Sequence, residues 1–343
     1  MSGQTFPLIA VSGSSYEMGY QHGRQAGDLV RQYLTWIEKM TGKSRANLCQ
    51  NARKFLPLIE ALSPALVEEV RGLADGAELS FEEALLCQAR GEAAQVDPEG
   101  CTAFALTGSA TASGRPLAGQ NQDLSPEYGD VAILLHVAPS DGRPRALMFT
   151  FAGQLGYSGM NQHGLAHFAN ALYDCPWQLG LPHYPLKRVM LEQDNLDTCM
   201  QILAKHPTCS AGNMVFCCGD GEIADVEIRP EGAAIFRDES PDSVIHANHY
   251  LTAEFAPLET HSLADSCSRQ NRMRVLVQEC WGEITVEKMK AILSDHAGDP
   301  AGICRHGAEG MYSVSGYIAE PEKGVLHVRR GQGCTGTWTA YEV

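Results

Sequence analysis

Glu99-Gly100-Cys101-Thr102-Ala103-Phe104 is the stretch on which the reading of this chain turns. Ahead of it, Asp97-Pro98-Glu99-Gly100 reads as a loop, because Pro and Gly interrupt a helical pattern. After it, Thr102-Ala103-Phe104-Ala105-Leu106 reads as a strand. A cysteine that follows glycine has open access to the preceding carbonyl, since glycine carries no Cβ to shield it. Attack of the Cys101 thiolate on the Gly100 carbonyl would move the acyl group from nitrogen to sulfur. Hydrolysis of that thioester would leave Cys101 as a new N-terminus. Its freed α-amine, with a pKa of ~7.7–8.0 in model compounds, would then be a base beside its own thiol. The tripeptide alone is not specific. Gly333-Cys334-Thr335 repeats it where cleavage would release only a short C-terminal peptide. A buried, small, apolar cysteine is the ordinary alternative.

The texture of the chain changes at this stretch. Residues 16 to 95 read as helices: Leu29, Tyr33, Leu34 and Ile37 recur at helical spacing, and Asn51 to Leu73 carries another apolar stripe. Ser14 or Ser15 is the expected first cap, and Ser80 with Glu83 forms a capping box. Beyond Cys101, strands are expected over 102–106, 117–121, 131–137, 146–151, 164–170, 213–218, 223–228, 244–246 and 313–328. Helices are expected from Leu186 on to Leu203 and over Met289 to Leu293. Helices followed by a strand-rich half suggest stacked sheets flanked by helices.

Composition narrows the function. With 26 basic and 41 acidic residues the 343-residue chain carries −15, which argues against a nucleic-acid surface. No apolar segment reaches the ~20 residues of a membrane span. No secretory signal is visible, and twelve irregularly spaced cysteines without a C-x-x-C pair fit free thiols and a cytoplasmic location.

Several stretches, taken in order, carry a family resemblance. They include Glu17-Met18-Gly19-Tyr20-Gln21-His22-Gly23, Glu69-Val70-Arg71-Gly72-Leu73-Ala74-Asp75-Gly76-Ala77, Arg90-Gly91-Glu92, Gly100-Cys101-Thr102 and Gly119-Gln120-Asn121-Gln122-Asp123. They continue with Gly159 to Leu165, Asn170-Ala171-Leu172, His246-Ala247-Asn248-His249, Ser266 to Met273 and Ile303-Cys304-Arg305. On these the chain resembles the isopenicillin N acyltransferase (acyl-coenzyme A:6-aminopenicillanic acid acyltransferase) family of N-terminal-nucleophile hydrolases.

The resemblance implies an α+β, four-layer αββα fold, in a single domain self-processed into 1–100 and 101–343. It implies Cys101 as nucleophile and Asp123 as a carboxylate near the free α-amine. Asn248 would be an oxyanion donor and Asn170 a second polar group near the nucleophile. Arg305 would be an active-site arginine, and with Gln120 and Tyr173 would face substrate. Two departures put the fungal substrates in doubt. A second arginine is missing from His306-Gly307-Ala308-Glu309-Gly310, and Gln120 stands where bile-salt-hydrolase relatives have arginine.

Other motifs read blandly. His246 and His249, three apart at a strand end, would point to opposite faces, and no third ligand of matching spacing accompanies them, so no metal is assigned. Cys217-Cys218 reads as structural. Arg269 and Arg272 flank a helix start and suit either salt bridges or anion binding. The Gly153-Gln154-Leu155-Gly156 segment lacks the Lys-Ser/Thr of a phosphate loop.

The expected reaction is acyl transfer through a Cys101 thioester without a cofactor, acyl-coenzyme A entering only as a substrate. Its partners are a small N-acyl amide, or an acyl donor plus an amine, and the processed chains stay together; a higher oligomer is compatible with the sequence. Water as acceptor makes an amide hydrolase and an amine makes an acyltransferase. An uncleaved binding protein of the same fold is the reading from another class.

Overall fold

The computed structural model describes residues 5–95, 100–237 and 240–343. Asp97, Pro98 and Glu99 of the expected loop lie outside the described residues, and Gly100 already opens a strand.

The described residues build two sheets. The larger runs in the order β1 (Leu8–Gly13), β4 (Ala132–Pro139), β5 (Ala146–Phe151), β6 (Ser158–Asn161), β7 (Ala166–Asn170), β8 (Gly212–Cys217), β9 (Ile223–Arg229) and β10 (Gly232–Phe236). The smaller runs β11 (Ser243–His246), β2 (Gly100–Leu106), β3 (Leu117–Leu124), β12 (Tyr312–Glu320), β13 (Val325–Arg330) and β14 (Thr337–Glu342). Neighbours pair antiparallel except β1 with β4.

The sheets pack face to face, β2 and β3 lying against β7 and β8. Outside the larger sheet, α1 (Ser15–Thr41) covers β1 and β4, and beside it stand α2 (Arg45–Ala52), α3 (Leu56–Leu62), α4 (Pro64–Ala77), α5 (Phe81–Gln88) and α6 (Arg90–Ala94). The short α7 (Tyr128–Val131), α8 (His183–Met190) and α9 (Leu196–Lys205) lie in the connections. On the far side, α10 (Ser266–Glu279) and α11 (Val286–Ile292) cover the smaller sheet. This is the expected αββα order, and each layer has its reason in the residues.

Strand β2 shows that reason most plainly. Ala103 and Ala105 belong to the core between the sheets, while Phe104 and Leu106 belong to the core under α10 and α11 with Met273, Val277 and Met289. Small side chains on the inner face let the sheets approach, and large ones fill the space beneath the helices.

Glycines set the tightest helix crossing. A Cβ on Gly19 would lie 1.9 Å from the Glu69 carbonyl oxygen, and one on Gly72 2.0 Å from that of Tyr16. The glycine-rich stretches 17–23 and 69–77 are therefore the seam between α1 and α4. Buried polar groups then tie this N-terminal block to the rest. Arg188 on α8 grips Glu69 on α4 through two contacts of 3.1 Å, both side chains buried. Gln88 donates to the Gly153 carbonyl at 2.6 Å and accepts from Leu155 N–H at 3.0 Å.

The structure corrects several boundaries. The stripe over Asn51 to Leu73 is split among α2, a single 3-10 turn, α3 and α4, because Pro57 and Pro64 each require a new helix start. The expected helix from Leu186 to Leu203 is two, divided where Asn195 caps α9 by accepting the Thr198 N–H at 2.9 Å. Ser14 is the first cap, forming a reciprocal box with Glu17, and Ser80 with Glu83 forms the other, as expected. Strands β1, β6, β10 and β14 went unread, β6 because Ser-Gly-Met-Asn carries no apolar alternation.

Candidate active site

The register of β2 with β3 places the chemistry. Gly100 lies opposite Asp123 and Cys101 opposite Gln122. Side chains alternate along a strand, so Cys101 and Gln122 share the face toward the larger sheet, and both line a cavity there. Gly100 and Asp123 share the other face, where Arg305, Met311 and Ser313 pack.

The Cys101 thiol is 3% exposed. The Gln122 side-chain amide donates to Sγ at 3.2 Å and to the Tyr157 hydroxyl at 2.9 Å, and the nearby Ala171 backbone N–H favours the thiolate. Burial pushes the thiol up to about 12, and the Asp123 carboxyl adds to this; Lys187 and Arg269 oppose it. Lys187, half-buried in the wall of the same cavity, is pushed down to about 8 by desolvation. Its ammonium lies over the Tyr157 ring at 4.5 Å.

The Cys101 backbone nitrogen has its own clamp. Its N–H donates to Asn248 Oδ1 at 3.0 Å, and Arg269 Nη2 donates to the same oxygen at 2.7 Å. Two converging donors fix which end of the amide faces Cys101. The Asn248 Nδ2 instead donates to the Ala171 carbonyl at 2.9 Å. With the 100–101 bond intact, Asn248 therefore meets Cys101 through its acceptor oxygen rather than through its Nδ2 donor. Arg269 is the hub of the arrangement. It donates to the Cys101 carbonyl at 2.8 Å and the Thr102 hydroxyl at 2.7 Å, and pairs with Asp265 at 3.0 Å.

Asp123 is fully buried, and burial raises its carboxyl above the ordinary range against the pull of Arg269 and Arg305. Its Oδ1 accepts from Ser313 at 2.6 Å, while its Oδ2 accepts no hydrogen bond from the described residues. An acceptor left open beside Gly100 suits a donor that forms there, such as an α-ammonium.

The remaining expected site residues fall into two groups. Tyr173 and Asn170 line the cavity with Cys101. Asn170 bridges elements, donating to the His246 carbonyl at 3.2 Å and accepting from Asn213 at 3.3 Å. Arg305 and Gln120 do not line it. Arg305 is buried behind Gly100, ion-paired to Asp265 at 2.6 Å. Gln120 is also buried and holds Gln122, donating to its Oε1 at 2.6 Å while accepting from Ala169 N–H at 2.9 Å. Both are supports: Gln120 acts on the thiol through Gln122, and Arg305 reaches the Cys101 carbonyl only through Asp265 and Arg269.

The cavity holds about 980 Å³ of empty space, counting its open mouth. Its wall mixes aromatic Tyr157, Tyr173, Trp177 and Tyr184 with polar Asn170 and Lys187. Apolar walls with a few placed polar groups suit a small organic ligand. His246 and His249 are each satisfied, by Glu227 at 3.0 Å and Ser266 at 2.7 Å. Their rings lie 6.5 Å apart, because the strand ends at His246 and the chain turns, so they do not point apart as expected. Cys217 and Cys218 are buried thiols, as expected.

Sequence reasoning gave no role to Gln122 or Lys187 and left Arg269 between two bland ones. Gln122 sits inside a quoted stretch, but only the register aims it at sulfur. Arg269 had one local signal, its spacing of four from Asp265 on a helix.

Gly100 is packed so closely that its size is testable. A Cβ there would lie 2.9 Å from Arg305 Nη1 and 3.1 Å from Met311 Sδ. If the chain cuts itself at the 100–101 bond, Gly100→Val is expected to slow that cut on the order of 100-fold, because displacement of an attacked carbonyl by about 1 Å has that effect. A time course on denaturing gels measures it.

The chain is similar to known proteins over most of its length. A family model described as acyl-coenzyme A:6-aminopenicillanic acid acyl-transferase matches residues 110–316. That range begins after Cys101 and includes Asp123, Asn248, Arg269 and Arg305. The 40 kDa form of acyl-coenzyme A:6-aminopenicillanic-acid-acyltransferase from Emericella nidulans is 28% identical over 311 residues, 88% of this chain and 85% of that protein. Beta-alanyl-dopamine/carcinine hydrolase from Drosophila melanogaster is 24% identical over 227 residues, 58% of this chain and 57% of that protein. Among solved structures, a mutant of conjugated bile acid hydrolase from Clostridium perfringens superposes with a TM-score of 0.51 at 13% identity, covering 71% of this chain and 92% of that one. At that identity the likeness concerns the fold alone.

Proposed function

Because the chain belongs to the acyl-coenzyme A:6-aminopenicillanic acid acyltransferase family, and so is an enzyme of the acyl-transferring, amide-cleaving kind, we propose that it cuts itself before Cys101 and then hydrolyses a small N-acyl amide through that thiol. The observation that carries this reading is the double hold on Cys101: its sulfur faces the cavity while its nitrogen is clamped by Asn248 Oδ1 at 3.0 Å.

In the first step Sγ attacks the Gly100 carbonyl carbon, the C–N bond breaks, and the nitrogen takes up a proton to become an α-amine. Water then cleaves the thioester, leaving a Gly100 carboxylate and a free Cys101. The new amine remains beside Asn248 Oδ1, with the open Asp123 Oδ2 available to its ammonium form. In turnover the amine takes the thiol proton, sulfur attacks the substrate carbonyl, and the amine returns the proton to the leaving amine. The Gln122 amide, already aimed at sulfur, and the nearby Ala171 N–H are the nearest donors for the oxyanion.

The thiol titrates far above neutrality, so its thiolate fraction, and with it the cleavage rate, is expected to rise with pH, less steeply near about 8, where Lys187 discharges. Removing the ammonium raises the thiol further. Lys187→Met is therefore expected to process measurably more slowly below that pH, because the thiol loses the nearby positive charge that favours its thiolate. The gap should close above it, where the wild-type lysine is neutral. Processing half-times across pH measure both effects.

The acceptor decides hydrolysis against transfer. Purified enzyme, an N-acyl amide such as a β-alanyl or phenylacetyl amide, and increasing added amine should give a constant yield of free acid. Product partitioning that follows the amine concentration would overturn the hydrolytic reading in favour of acyl transfer.

A further inference from the structure

The second Gly-Cys-Thr copy lies in a cluster of different chemistry. His296, Cys304, His306 and Cys334 bring one ligand atom each to within 4.8 Å of all the others. The first three come from the loop between α11 and β12, and Cys334 from the loop between β13 and β14. The separations are 3.0 Å between the Nε2 atoms of His296 and His306, and 3.5 Å from His306 Nε2 to the sulfurs of both Cys304 and Cys334.

We propose that these four side chains form a structural zinc site. Bonds of about 2.3 Å to sulfur and about 2.0–2.1 Å to nitrogen, set tetrahedrally, place sulfur and nitrogen about 3.5 Å apart and two nitrogens about 3.3 Å apart. The observed sulfur–nitrogen separations match this, and the nitrogen pair is slightly closer. Hydrogen bonding alone does not account for the cluster. His306 Nε2 faces three groups, yet a ring nitrogen has a single proton or a single lone pair to offer. A shared cation satisfies all of them together. On binding, each thiol releases its proton to solvent and ligates as thiolate.

The surroundings support the ligand set. The Gly333 N–H donates to Cys304 Sγ at 3.2 Å, a contact that steadies a thiolate ligand from outside. Gly333 itself is required by the approach of the two loops, since a Cβ there would lie 2.7 Å from the Leu293 carbonyl oxygen. Two thiolates and two imidazoles, closing all four positions, select zinc and leave no place for a reacting water.

The site bears on Cys101 from behind. Arg305 stands between two of the ligands, and its side chain holds Asp265, which holds Arg269 against the Cys101 carbonyl. The metal would fix the backbone from which that chain of contacts starts. It would also pin the last hairpin to the loop ahead of β12.

The test uses the full-length protein, stripped with a chelator and titrated with Zn²⁺ or Co²⁺. One zinc per chain is expected, and cobalt should give the intense near-ultraviolet band of thiolate ligation with tetrahedral visible bands. Cys334→Ala and His296→Ala, both at exposed positions, should each weaken zinc affinity roughly 100-fold or more, while Cys267→Ser retains it. The wild-type cobalt spectrum needs no variant to fold. Absence of stoichiometric zinc together with absence of the thiolate band would overturn the proposal. So would a Cys304–Cys334 disulfide in the unreduced protein.

Discussion

Cys101→Ala is expected to accumulate as one full-length polypeptide with activity reduced at least roughly 10⁴-fold, because it removes the nucleophile of both cleavage and turnover. Folding should survive the change. Only one sulfur atom leaves the interface between the sheets, at a cost of about 1 kcal/mol. Gln122 loses one of its three side-chain hydrogen bonds and keeps those with Tyr157 and Gln120. Urea or thermal melts of the variant should therefore stay near the wild-type curve while gels and assays show complete loss. Cys101→Ser is the sharper companion, since a hydroxyl retains the geometry but is the poorer nucleophile; slow, partial cleavage is its expected phenotype.

Arg269→Met is expected to damage both the fold and the reaction. The guanidinium is buried among the Cys101 carbonyl, the Thr102 hydroxyl, Asn248 Oδ1 and Asp265. Removing one member of a buried charge network costs about 3–5 kcal/mol. Arg305 still holds Asp265, so the lower end, about 3 kcal/mol, is the expected value, read from chemical denaturation. The effect on chemistry is separable by working well below the melting transition. With one of two donors to its oxygen gone and the Cys101 carbonyl released, Asn248 and Cys101 are held less firmly, and processing should slow even in molecules that remain folded. Arg269→Lys should recover part of the stability but little of the rate, because an ammonium cannot reach carbonyl, hydroxyl, amide and carboxylate together.

The sequence carried the fold class well where its signals were local. Ser80-x-x-Glu83 capped α5, and Ala146 to Phe151 paired as read. It failed where the signal was tertiary. The prolines at 57 and 64 were visible, but the apolar stripe ran through them. Strand β6, buried on both faces in the middle of a sheet, had no alternation to read. At the site, Cys101, Asp123 and Asn248 were named through their order in a family resemblance, and the structure places them together. Their partners were not legible. Strands β2 and β3 are joined by a loop from Thr107 to Pro116, and nothing local fixes the register that sets Gln122 beside sulfur. Lys187 reads as an ordinary helix cation until the packing of α8 turns it into the cavity. Arg305 was found, but its side of the sheet was not, so a support was taken for a substrate contact. Cys334 reaches His306 across 28 residues, a spacing that matches no familiar metal motif.

The central claim is that this chain breaks itself between Gly100 and Cys101 by means of Cys101. Intact mass spectrometry of the purified, denatured wild type, run beside Cys101→Ala, tests it most directly. The expected result is two wild-type polypeptides whose masses fit residues up to 100 and from Cys101 onward, with the variant unbroken. A single full-length mass in both samples would contradict it.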